Sequence, residues 1–157
     1  MLIIKKFFFA VFVCLAFTSQ SFSKDIVRIT NAWVPEAPPV IKVMAGYMVV
    51  ENTSNKPVNL IKVSSNEFKT VEMHQSIHKD GMAHMVRQNK VSISAKSKIE
   101  FKSGGLHLML IDAKKKFSAG NKIPLVLEFD DGEKLSVVAI VKPAGSDSMM
   151  DHTHHHH

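Results

Sequence analysis

Beyond the first two dozen residues, apolar and polar positions in this chain alternate in short runs rather than recurring every third or fourth residue. Alternation with Val, Ile and Phe in the runs, and turn residues between them, predicts half-buried strands and an all-β sandwich or barrel. The expected strands are Ile26 to Val34, Val43 to Glu51, Val58 to Ser64, Phe68 to His78, Met82 to Gln88, Lys98 to Lys102, Leu106 to Ile111, Ile123 to Phe129 and Lys134 to Val141. The breaks include the three prolines of Pro35 to Pro39, the cluster Asn52-Thr53-Ser54-Asn55-Lys56-Pro57, and Ser103-Gly104-Gly105, all of them turn chemistry. Asp-Gly between two extended runs is a strong hairpin signal, and it occurs at Asp80-Gly81 and Asp131-Gly132. The stretch Ala113 to Ala119 is only weakly helical in pattern and reads as a loop.

The N-terminus departs from this pattern. Lys5 and Lys6 precede an unbroken apolar run, Phe7 to Phe17, and Ser21 and Ser23 supply small residues at the −3 and −1 positions of a cleavage site. This reads as a secretory signal peptide over residues 1–23, cleaved after Ser23. The run is too short to span a bilayer, so the expectation is a periplasmic protein with no stable membrane insertion once the leader is gone. The lone cysteine, Cys14, leaves with the leader, so no disulfide is possible in a compartment that would allow one. Loss of Lys5 and Lys6 lowers the formal net charge from +6 to +4. The remaining lysines are scattered, so nucleic acid is not an expected partner. The domain is expected over residues 24–143, with a polar tail over residues 144–157.

Candidate chemistry comes from an excess of soft donors: nine methionines and nine histidines. They gather in Met73-His74, His78, Met82, His84 and Met85, and again in His107-Leu108-Met109. Thioethers suit Cu(I), and imidazoles suit copper, zinc, iron and nickel, so a mixed site without thiolate points to monovalent copper. Strand geometry tests whether the donors can meet. A two-residue loop at Asp80-Gly81 sets Lys79 opposite Met82, His78 opposite Ala83, Ser76 opposite Met85 and His74 opposite Arg87. Residues alternate between faces along a strand, so His74 and Met85 share a face as diagonal neighbours, roughly 7–8 Å apart. Met82 and His84 fall on the other face. His107 and Met109, two residues apart, also share a face. Met44, Met48 and Met73 are expected in the core, and His78 and His84 in solvent.

His74, ten residues, Met85, twenty-one residues, then His107-x-Met109 resembles the ligand pattern of the PCuAC family of periplasmic copper chaperones. Val71-Glu72-Met73-His74, Gly104-Gly105-Leu106-His107-Leu108-Met109-Leu110, Ala32-Trp33 and Ala45-Gly46-Tyr47-Met48 are similar to that family too. The resemblance covers roughly Ile26 to Lys142; it departs at Pro38-Pro39-Val40, where the family pattern would place a glycine. It implies a cupredoxin-like or Ig-like antiparallel β-sandwich of Greek-key type, with an exposed Cu(I) site formed by His74, Met85, His107 and Met109. It also implies a chaperone that hands copper to a copper-site subunit of cytochrome c oxidase or to another copper chaperone, without being an enzyme. A blue-copper electron carrier needs a thiolate ligand, which the mature chain lacks.

The tail ends in four histidines, which read either as a purification tag or as the native end. Met149, Met150, His152 and His154 are not typical of a tag, and they make a secondary site expected to take Cu(II). Two other readings stay open at this level: a secreted copper redox enzyme, and an Ig-like interaction module whose methionines serve packing alone.

Overall fold

Alternation with a period of two places one side of each strand inward, and the computed structural model, which describes residues 26–38, 40–79 and 81–146, shows ten such strands. They are β1 (Val27–Pro35), β2 (Val43–Asn52), β3 (Val58–Ser64), β4 (Phe68–Lys79), β5 (Met82–Gln88), β6 (Val91–Ile93), β7 (Lys98–Phe101), β8 (Leu106–Ala113), β9 (Lys122–Phe129) and β10 (Lys134–Lys142). All but β6 stand where the alternation predicts them, and Ala113 to Ala119 is a loop after its first residue. There is no helix among the described residues. The expected leader, residues 1–23, and the tail residues Met149, Met150, His152 and His154 lie outside the described residues.

The strand order is β5-β4-β8-β2-β1-β10-β9-β3-β6, with β7 also beside β2. β2 is the pivot: Val43 to Gly46 pair with β8, while Met48 to Glu51 pair with β7. β3 lies against β4 as well as beside β9, so the ends of the strand order are folded over a shared interior. That interior is a single apolar cluster drawn from every strand except β5, with Val34, Leu60, Phe101, Leu108, Leu110 and Phe129 among its most deeply buried members. Met44, Met48 and Met73 are all in it.

One detail differs from the sequence expectation, and another refines it. The sheet is not wholly antiparallel, because β1 and β10 pair parallel, Trp33 opposite Ile140. A parallel pair needs a long crossover, and here the entire intervening domain supplies it. The two Asp-Gly hairpins are also unlike each other. Lys79 pairs directly with Met82, leaving two loop residues. At the other, Phe129 and Glu133 close a three-residue loop, with Gly132 at φ +88°, the left-handed position such a loop requires.

Gly46 fixes how closely β8 approaches β2. A Cβ there would lie 2.9 Å from Leu110 Cδ1 and 3.3 Å from Leu108 Cβ, and both leucines are fully buried. Overpacking of this kind costs about 1–3 kcal/mol. Gly46→Val is therefore expected to lower the unfolding free energy by that amount, measured by urea unfolding of the metal-free chain.

Candidate metal centre

Strands β5, β4 and β8 lie side by side, and their pairing decides which side chains meet. On one side of β4, Glu72 pairs with Met109 and His74 with His107. On the other, His74 pairs with Arg87, Ser76 with Met85 and His78 with Ala83. Facing residues project to the same side of a sheet. Glu72, His74, Met85, Arg87, His107 and Met109 therefore share the face turned away from the core, while Met73, Leu108 and Leu110 fill the core side. Met82 pairs with Lys79 and His84 with Ile77, which puts both on the opposite face of the hairpin. The hairpin register is the one expected from a two-residue loop.

The β4–β8 ladder ends at Gln75 and Leu106, with one more bond from Ser76 N–H to the Gly105 carbonyl. Beyond it the β4–β5 hairpin continues as a two-stranded ribbon. Met85 stands on this ribbon and is 64% exposed, whereas His107 is 6% exposed and the His74 side chain 13%. The group of residues is thus graded from a covered imidazole pair to an open thioether, and is not uniformly exposed as the resemblance implied. On the far side of β8, Tyr47 follows the last β2 pair, Gly46 with Leu108. It packs on Trp33 at 4.9 Å between ring centroids. A bulge in β1 between Thr30 and Trp33 keeps that tryptophan on the outer face, where the Lys142 ammonium covers it at 4.9 Å.

The imidazole rings of His74 and His107 stand 6.1 Å apart between centroids, inclined by 37°. Zinc–imidazole bonds are about 2.0–2.1 Å, and two bonds of that order plus the half-widths of two rings span roughly 6 Å. The separation is thus of the order that one ion held by both rings requires. Hydrogen bonds set the proton on each ring. His74 Nε2 lies 2.9 Å from Glu72 Oε2, and a carboxylate only accepts, so Nε2–H donates. His107 Nδ1 lies 3.0 Å from the Gly105 carbonyl oxygen, so there Nδ1–H donates. In the neutral rings the other nitrogens keep their lone pairs. His74 Nδ1 is buried and has no hydrogen-bond partner. Such an atom is costly unless something else occupies its lone pair.

Glu72 is held from both sides, because Arg87 Nη1 lies 2.9 Å from its second oxygen. The hydrogen bond from His74, opposed by burial and assisted by the Arg87 charge, keeps the Glu72 carboxyl below its ordinary value. Sequence reasoning passed over Glu72, Arg87 and Gly105. The first two were within reach of it: Glu72 is two residues before His74, and Arg87 is the cross-strand partner of His74.

Among the described residues no three His, Cys, Asp or Glu side chains are placed to hold a metal ion. A metal at this face would need the thioethers of Met85 and Met109 beside the two imidazoles, a donor set that favours a soft monovalent ion. The cleft of about 490 Å³ under the proline loop, bounded by Pro38, Ile41, Met44 and Phe117, includes none of these four residues.

The family model LpqE-like, described as "Putative lipoprotein LpqE-like", matches residues 27–141. An uncharacterized protein of Rickettsia prowazekii is 35% identical over 104 residues, 62% of this chain and 58% of its own. The matched stretch of this chain thus spans less than two thirds of that relative's length. A putative lipoprotein of Leifsonia xyli subsp. xyli is 29% identical over 119 residues, 75% of this chain and 70% of its own. Among solved structures, Cu(I)-DR1885 from Deinococcus radiodurans superposes with a TM-score of 0.65 at 26% identity, covering 85% of this chain and 88% of that one. The copper-bound PCuAC domain from PmoF2 superposes with a TM-score of 0.63 at 23% identity, covering 75% of this chain and 93% of that one.

Proposed function

This chain belongs to the LpqE-like family and has the fold of PCuAC domains, and on that footing we propose that it is an exported copper chaperone carrying Cu(I) on His74, Met85, His107 and Met109. The observation that carries this reading is the pairing of His74 with His107 at a ring separation of 6.1 Å, with a buried, unpartnered Nδ1 on His74. Thioethers on the same face make the set soft enough for Cu(I). The copper is cargo, so the protein acts by binding and transfer and is not an enzyme. The exposed Met85 is the ligand a recipient can displace first, and the covered imidazole pair releases the ion last. The recipient is a copper-site subunit of cytochrome c oxidase or another copper chaperone. Export rests on a leader over residues 1–23, and delivery then takes place in the periplasm. Among the described residues no helix is long and apolar enough to cross a membrane.

Anaerobic Cu(I) titration against a competing chelator, with X-ray absorption to count sulfur and nitrogen ligands, tests this reading. The expected result is one tightly bound Cu(I) with two sulfur and two nitrogen ligands, unchanged when residues 144–157 are removed. Absence of tight Cu(I) binding without the tail overturns it.

The tail, with Met149, Met150, His152 and His154, is proposed as a separate Cu(II) site. Its imidazoles must be deprotonated to bind, so Cu(II) affinity is expected to fall as pH drops below about 6.5. Core Cu(I) binding is expected to fall less, because two of its four donors do not titrate. Parallel titrations of both ions between acid and neutral pH read the difference, and equal sensitivity would contradict the division.

A further inference from the structure

The two histidines do not present the same nitrogen, and the reason lies in residues that are not themselves donors to the ion. We infer that Glu72, anchored by Arg87, is a positioning residue that fixes His74 as the Nε2–H tautomer, so that the site offers Nδ1 from His74 and Nε2 from His107. This deepens the copper reading above and rests on it for its functional meaning, although the tautomer itself is a property of the metal-free protein.

The argument starts from geometry. Glu72 and His74 are two apart on β4 and point to the same face, and Arg87 stands opposite His74 on β5. The result is a chain of contacts from Arg87 Nη1 to Glu72 Oε1 at 2.9 Å, and from Glu72 Oε2 to His74 Nε2 at 2.9 Å. Glu72 is largely covered, with 18% of its side chain exposed. A carboxylate in that setting is stabilised by its two donors and cannot itself donate. It therefore holds the ring proton at Nε2 and leaves the lone pair on Nδ1, the buried atom without a partner. At His107 the Gly105 carbonyl does the same work on the opposite nitrogen. Partners of this kind fix ring orientation and raise the basicity of the ligating nitrogen. A site built this way is preorganised, so an ion does not have to select among tautomers and ring rotations as it binds.

The test uses the chain from residue 24 to 157, with ¹⁵N-labelled histidine. Long-range ¹H–¹⁵N correlation spectra of the metal-free protein near pH 8, above the ordinary histidine value of about 6.5, report the tautomer of each ring directly. His74 is expected as the Nε2–H form and His107 as the Nδ1–H form. In Glu72→Ala the His74 signals should shift to a mixture of tautomers while those of His107 stay unchanged. Cu(I) affinity should fall by about 10- to 100-fold, with the sulfur-to-nitrogen count by X-ray absorption unaltered. Glu72→Gln retains an oxygen acceptor and should recover part of both effects. It also serves if the alanine variant does not fold. A single Nδ1–H form for His74 in the unsubstituted protein overturns the inference. So does an unchanged His74 tautomer in folded Glu72→Ala. Loss of the copper reading would appear differently: no Cu(I) bound by the unsubstituted chain, with the His74 tautomer still as expected.

Discussion

His107→Ala is expected to remove tight Cu(I) binding and to destabilise the metal-free protein, whereas Met85→Ala removes tight binding and leaves stability unchanged. Both are proposed ligands, and losing either should cost more than the 10- to 100-fold, about 1.4–2.7 kcal/mol, that attends loss of a supporting partner. They differ in what surrounds them. His107 is almost wholly covered and donates to the Gly105 carbonyl. Its truncation removes that hydrogen bond and a covered side chain, for about 1–3 kcal/mol in all. The Gly105 carbonyl still accepts from Ser76 N–H, which keeps the penalty within that range. Met85 stands on the ribbon in solvent, where substitutions stay within about 0.5 kcal/mol. Met82→Ala and His84→Ala should change neither quantity, since both residues project from the other face of the hairpin. Chelator competition for Cu(I) and apo melting temperatures across the four variants check the pattern. Abolition of binding by His84→Ala, with Met85→Ala unaffected, would overturn the ligand set.

Uneven burial separates what could be read along the chain from what could not. The hairpin register could be read, because a two-residue loop sets every cross-strand pair and period-two alternation does the rest. Strands such as β3 and β5 could be read because each lies between clear turn signals. The covering of His107 could not. His107 stands on β8, an inner strand set between β4 and β2, and the β2–β8 pairing joins residues more than sixty positions apart, so nothing local encodes that placement. From sequence the site looked exposed as a whole, and little stability effect was expected of losing His107; its burial makes it the exception. The parallel β1–β10 pair was hidden in the same way, since it joins the two ends of the domain. The PCuAC recognition did not need these contacts. It rested on spacings along the chain, and the match to the LpqE-like family and the likeness to solved PCuAC domains bear it out.

Strand β6 escaped the alternation pattern because three residues carry too little of it, and what holds the segment that follows is a polar residue, not an apolar one. Asn52 is wholly buried at the end of β2. Its Nδ2 donates to the carbonyls of Lys56 at 2.7 Å, Ile93 at 3.1 Å and Ser94 at 3.1 Å. Its Oδ1 accepts from Ser54 N–H at 2.9 Å and Ser54 Oγ–H at 2.7 Å. One side chain thus ties the turn after β2 to the end of β6. Asn52→Ala removes the partner of the buried Ile93 carbonyl and unties the turn, although the Lys56 carbonyl still accepts from Ser54 Oγ–H, so a loss of about 1–3 kcal/mol is expected, large against a typical total of 5–15 kcal/mol. Asn52→Asp is expected to be worse at neutral pH, because a buried carboxylate would face three carbonyl oxygens. Its pH dependence supplies a check on that cause. Burial raises the folded-state pKa of the new carboxyl, so the penalty is absent where the group is protonated in both states, below about pH 4. It grows as pH rises toward the folded value. Glu72 and Asp130, both held below their ordinary values by hydrogen bonds, act oppositely: their contribution is present above the ordinary carboxylate range and is lost as pH falls. The quantity to measure is therefore the difference between Asn52→Asp and the unsubstituted chain, by urea unfolding at pH 4 and pH 8. That difference should be clearly larger at pH 8; an equal difference at both would rule out the buried charge as its source.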